Sequence, residues 1–87
     1  MDPTLSKILD YLDATQTRAT YQAVAGYIHV PTRGMGEMLG HRCPRASWVV
    51  NAKSKIPTGY FLAEIHPDLK KNSHIIGTVD ELRRLMG

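Results

Sequence analysis

The sequence has one cysteine, Cys43, in the run Arg42-Cys43-Pro44-Arg45. A thiol attacks as its thiolate, and neighbouring guanidinium groups favour that form. No histidine follows Cys43 to take the proton, and the proline behind it suits a loop. The local residues therefore favour a spectator thiol over a nucleophile. His29, His41, His66 and His74 are scattered, with no metal-ligand spacing and no cysteine pair. No glycine-rich phosphate loop is present, and no serine, histidine and acid stand out as a triad. No cofactor and no metal are expected.

The charge distribution is more informative. Residues 14–60 hold Arg18, Arg33, Arg42, Arg45, Lys53 and Lys55 against a single acid, Glu37. The first thirteen residues are net acidic and the remainder is neutral, so the overall charge of +3 is concentrated in the middle. A stretch of this kind suits contact with a polyanion. The alternative is an ordinary solvated basic face.

These side chains need a scaffold, and the pattern supplies one. Asp2 and Pro3 make a helix start, and Leu5, Ile8, Leu9 and Leu12 recur on one face, predicting a helix over about 3–13. Thr15 to Ala19 reads as a connection. Thr20 caps a second helix, Tyr21–Ile28, with Val24, Ala25 and Ile28 inward. Pro31 breaks the pattern. Thr32 caps a third short helix, Arg33–Leu39, which Gly40 closes. Met35, Met38 and Leu39 form its apolar side. Gly34 and Gly36 weaken that helix by up to about 1 kcal/mol each relative to alanine. Such a cost is expected where another helix or a ligand approaches the backbone.

The period then changes. Ser47-Trp48-Val49-Val50-Asn51 reads as a strand, 52–57 as a turn carrying Lys53 and Lys55, and 58–62 as a return strand. Residues 66–71 read as one helical turn and Ile75-Ile76 as an extended piece. Thr78 and Glu81 form a capping box that opens a last helix, with Val79, Leu82, Leu85 and Met86 inward. Two short helices followed by a basic hairpin are the order of a winged helix. The predicted fold is α+β: a helix, a helix-turn-helix, a two-stranded wing and a C-terminal helix. Lys53 and Lys55 at the wing tip are placed for phosphates.

Thr20-Tyr21-Gln22-Ala23-Val24-Ala25, Pro31-Thr32-Arg33-Gly34-Met35-Gly36 and Val49-Val50-Asn51 occur in that order. Together they resemble the DNA-binding winged helix of the O6-alkylguanine-DNA alkyltransferases and alkyltransferase-like proteins, over about residues 18–60. The resemblance implies that Tyr21 contacts DNA beside an extruded nucleotide, and that Arg33 enters the duplex in its place, with Gly34 and Met35 on the same recognition helix. A planar guanidinium can stack on bases while its charge meets phosphates. The acceptor motif is absent: Arg45, Ala46, Ser47 and Trp48 stand where the family has Pro, Cys, His and Arg. An alanine methyl accepts no alkyl group. The resemblance thus implies DNA binding without the transfer reaction, in a role such as sensing damaged or modified bases in DNA repair. By the resemblance Ser47 stands in place of the histidine that activates the acceptor thiol. Trp48 is by type a core residue, and by the resemblance a pocket residue on the acceptor face.

At 87 residues one domain spanning 1–87 is expected, with no room for separate cofactor and substrate domains. A single cysteine permits no internal disulfide. No run reaches the ~18 apolar residues of a membrane helix. No signal-peptide pattern is read at the N-terminus, and a cytoplasmic monomer is expected. Three functions remain distinct: a non-catalytic binder of double-stranded DNA, a protein-interaction module on the same scaffold, and alkyl transfer through Cys43.

Overall fold

The computed structural model describes residues 2–40 and 42–86. His41, one of the four histidines weighed above, lies outside them. Among the described residues the chain forms four α-helices and a three-stranded parallel sheet. Helix α1 is Pro3–Thr15, strand β1 Arg18–Thr20, helix α2 Tyr21–Ile28 and helix α3 Met35–Leu39. Strand β2 is Val49–Val50, strand β3 Ile75–Ile76 and helix α4 Val79–Met86.

The helix starts follow from side-chain chemistry. The Asp2 carboxylate accepts from the amides of Thr4 (2.8 Å) and Leu5 (3.1 Å), satisfying two of the free donors at the head of α1. The Thr20 hydroxyl accepts from the Ala23 amide at 3.1 Å and starts α2. Leu5, Ile8, Leu9 and Leu12 are all fully buried. They meet Ala23 and Val24 of α2, Trp48, Val49, Ile76 and Leu82 in one core. Helix α2 also packs on α4, and the approach is close. A Cβ on Gly26 would lie 2.2 Å from Val79 Cγ2, so glycine is required there.

Three expectations are corrected. The third helix is shorter than 33–39. Thr32–Gly34 forms a 3-10 turn closed by the Gly34 amide on the Pro31 carbonyl, and α3 begins at Met35. Thr32 makes no side-chain cap. Residues 15–19 are not merely a connection, because Arg18–Thr20 is the central strand. The wing is not a two-stranded hairpin. Ala46–Trp48 is a 3-10 turn, and Val49–Val50 pairs in parallel with β1, Ala19 opposite Val49 and Thr20 opposite Val50. Strand β3 pairs with the other edge of β1, giving the order β2-β1-β3.

The physical reason for the last correction lies in burial and in the turn. Val49 and Val50 are both fully buried, as suits a strand inside a parallel sheet rather than an exposed hairpin. Residues 51–56 close on themselves: Lys55 N–H donates to the Asn51 carbonyl (2.8 Å) and Asn51 N–H to the Ile56 carbonyl (3.0 Å). Lys55 takes φ +63° and Gly59 φ +75°, and Pro57 has no amide to donate. A return strand over 58–62 is therefore replaced by a turn and a 3-10 segment, Leu62–Glu64.

The last helix also differs in part. Thr78 accepts from the Glu81 amide at 3.2 Å, but the Glu81 carboxylate pairs with His74. Leu82 is buried, whereas Leu85 is 43% exposed and does not face the core. Among the described residues, no helix is long and apolar enough to cross a membrane.

Candidate nucleic-acid interface

The six central basic residues separate into two groups. Arg18 is buried on the central strand. Its Nη1 donates to the Lys55 carbonyl (2.9 Å) and its Nη2 to the Asn72 carbonyl (3.2 Å), while Nε has no partner among the described residues. Arg45 reaches back to α1, with Nη2 donating to Asp10 Oδ1 at 2.7 Å and to the Ser6 carbonyl at 2.9 Å. Both cations are committed to tertiary structure. Arg33, Arg42, Lys53 and Lys55 are exposed, and their side chains have no hydrogen-bond or ion-pair partner among the described residues.

Two of these four, Arg42 and Lys53, line two grooves that share Tyr21. One groove, of about 470 Å³, runs from Tyr21 along Gly36 and Gly40 of the α3 segment to Arg42, Thr58 and Tyr60. The other, of about 370 Å³, runs from Tyr21 and Thr32 to Asn51 and Lys53. Tyr21 stands between them, half-buried. Its hydroxyl accepts from the Thr58 amide at 3.0 Å, which ties the head of α2 to the turn after the lysine loop. That loop is held in shape by Asn51, whose Oδ1 accepts from the amides of Lys53 (2.8 Å) and Ser54 (3.3 Å). Arg42 lies over Gly59, within 3.2 Å of where a Cβ would stand.

Packing among the described residues does not account for the two glycines of the α3 segment. Nothing lies within 4 Å of a Cβ built on Gly34 or on Gly36. Among the described residues no helix approaches that backbone.

Ser47, Trp48 and Met35 are placed elsewhere than expected. All three are fully buried. Trp48 Nε1 donates to Asp13 Oδ1 at 2.8 Å, and the His66 ring lies tilted against the indole at 4.8 Å between centroids. The Ser47 hydroxyl donates to the Pro44 carbonyl (2.6 Å) and accepts from the His66 amide (3.0 Å). Met35 is the inward residue of a short helix that must anchor itself on the core. Each of the three therefore holds the fold and none presents an atom to a duplex. Ala46, in the same 3-10 turn, is buried as well.

Arg42, Thr58 and Tyr60 were not singled out as site residues. The turn signal Pro57-Thr58-Gly59 could have pointed to them, since it ends the extended pattern at the residues that line the groove. Burial pushes the Tyr60 hydroxyl up from its ordinary value, partly opposed by a backbone hydrogen bond from Cys43. Cys43 is half-buried against the core. Among the described residues, no group of three or more His, Cys, Asp or Glu side chains is placed to hold a metal ion. Comparison with family models, curated proteins and solved structures finds no match for the chain.

Proposed function

We propose that this protein binds duplex DNA without catalysis, through a winged-helix-like face. In this reading α2 and α3 act as a helix-turn-helix and residues 51–56 act as a compact wing. The observation that carries it is a set of four exposed cations without a partner among the described residues, of which Arg42 lines one groove with Gly36 and Lys53 lines the neighbouring groove, both grooves sharing Tyr21. Phosphates draw such cations, and an exposed glycine backbone lets a strand approach closely. Arg33 would enter the base stack, Tyr21 would contact the strand beside it, and Lys53 and Lys55 would meet phosphates. By resemblance the helix would use the minor groove, and the role would be recognition of damaged or modified bases.

One observation favours a second reading, a protein-interaction module. Phe61 and Leu62 are 76% and 90% exposed, and an apolar groove of about 330 Å³ lies beside them, lined by Ile56, Ile65 and Leu69. Nuclear magnetic resonance titration with a short duplex separates the two. Shifts at Tyr21, Arg33 to Gly36 and 51–56, lost on adding salt, are the expected result. A spectrum unchanged by duplex at low salt would leave the protein-interaction reading in possession. For alkyl transfer through Cys43, no side chain among the described residues hydrogen-bonds the thiol as a base, and a covalent adduct by mass after incubation with alkylated-guanine DNA would be needed to support it.

A further inference from the structure

Phe61 and Leu62 are consecutive, large, apolar and almost wholly in solvent. Single exposed apolar residues need no explanation, but two in a rigid turn do. Their backbone is fixed by a reciprocal pair of bonds. The Phe61 amide donates to Glu64 Oε1 at 2.9 Å, and the Glu64 amide donates to the Phe61 carbonyl at 2.9 Å. The Ile65 amide closes on the Leu62 carbonyl at 3.3 Å, completing the 3-10 turn. The turn is also anchored on both sides. Tyr60 and Glu64 line the groove that borders α3, whereas Leu62 and Ile65 line the apolar groove on the far side. Phe61 and Leu62 thus lie exposed in the turn between Tyr60 and Glu64, two residues of the groove that Gly36 and Arg42 also line.

Resting on the DNA-binding reading, the geometry points to Phe61 and Leu62 as an apolar wedge that enters a base step of the bound duplex. Proteins that bind the minor groove often insert such residues between bases, unstacking a step and kinking the helix so that more of it meets the protein. Three features fit that use. The side chains are apolar, so they gain from leaving water and displace a stack with a new one. The turn that carries them is closed before the partner arrives, so little ordering is needed on contact. The nearest groove wall supplies Arg42, a cation without a partner among the described residues, to hold the displaced strand's phosphates. The wedge would be a second point of entry, separate in sequence from Arg33.

The test uses the full chain and a duplex carrying 2-aminopurine, a base whose fluorescence rises when it unstacks. The parent should raise that fluorescence at a step displaced from the one that responds to Arg33. The double variant Phe61→Ala, Leu62→Ala should abolish the rise and weaken binding by roughly tenfold, the scale of one or two base–apolar contacts. Its salt dependence should match the parent's, because no phosphate contact is removed. Both residues are exposed, so the variant should fold as the parent does, which its circular dichroism reports. A variant that binds and unstacks like the parent overturns the wedge and leaves the DNA reading standing. Weakened binding from a parent that never unstacked the probe overturns it too, since the contact is then not between bases. A parent that binds no duplex removes the DNA reading itself, and with it the wedge, and returns the exposed pair to a protein partner.

Discussion

Arg33 is the residue on which lesion preference would depend. It sits in the 3-10 turn ahead of α3, exposed and with no polar partner among the described residues. Replacing it by alanine should leave folding almost unchanged, because it makes no core contact. It should weaken duplex binding by more than one phosphate contact, and should erase any preference for a mismatched over a normal pair. The preference arises because a mismatched base costs less to extrude, and a filled gap stops it returning. Competition binding with matched and mismatched duplexes checks this; a folded Arg33→Ala protein with parental preference would remove Arg33 from the site. Tyr60 makes a prediction of a different kind. Its hydroxyl is held above the ordinary 10.0 mainly by burial. The fold favours the neutral form, so the contribution is present below pH 10.0 and is lost as pH rises through the folded value. Thermal midpoints of the parent should therefore fall more steeply on the alkaline side than those of Tyr60→Phe. Equal slopes would show that Tyr60 does not report on the fold.

At the scale of elements, two glycines with opposite surroundings give a paired expectation. Gly26 has no room, because a Cβ there meets Val79 of α4. Gly26→Ala should cost about 1–3 kcal/mol by forcing α2 and α4 apart, and Val79→Ala should recover part of it. Gly36 has all the room it could need, so Gly36→Ala should stabilise by roughly 0.5–1 kcal/mol through helix propensity alone. The same substitution should lower duplex affinity, since the added methyl stands where a strand would approach. Denaturant melts and binding isotherms on one preparation read both effects. A more stable Gly36→Ala protein with unchanged affinity would mean that the α3 backbone does not meet DNA.

The helices were legible because their signals are local. Asp2 and Thr20 announce caps, and Leu5, Ile8, Leu9 and Leu12 announce a face. The sheet was legible only in part: Val49-Val50 and Ile75-Ile76 read as extended, but the central Arg18–Thr20 and the parallel pairing carry no local signal. Arg18-Ala19-Thr20 reads as polar linker until Val49-Val50 and Ile75-Ile76 lie on either side of it. Of the residues the sequence singled out, Arg33, Lys53 and Lys55 are exposed and Tyr21 is half-buried, so their side chains are open to a partner. The candidate site was misread at Met35, Ser47 and Trp48. A strand assignment gave Ser47 and Trp48 alternate faces, whereas the 3-10 turn and the Asp13 and Pro44 acceptors draw both inward.

For the molecule as a whole, the expected strength of polyanion binding follows from which cations are available. Arg18 and Arg45 are bound to carbonyls and to Asp10, so four central cations remain rather than six. If all four meet phosphates, log K should fall with log salt at a slope of about −3.5. Lys55→Ala should reduce that slope by about one unit and leave base preference alone. Filter binding or anisotropy across a range of salt measures it. A slope near zero would mean that the central charge is a solvated face.

The sheet order has a consequence for how the chain reaches its native state. Ala19 pairs with Val49 on one side and Ile76 on the other, so the central strand is completed from two distant parts of the chain. Loop closure must precede each pairing, and the entropy lost in closing is recovered only when the strands dock. Neither edge can form from its neighbours in sequence. During synthesis α1 and α2 can emerge and collapse on each other, but β1 stays without its second partner until residues 75–76 have left the ribosome. Helix α3 lies in the segment that the β1–β2 pairing closes, and the lysine loop in the segment between β2 and β3. The two segments are therefore fixed in turn, α3 once Val49-Val50 has docked on β1 and the ends around the lysine loop only once Ile75-Ile76 has docked as well.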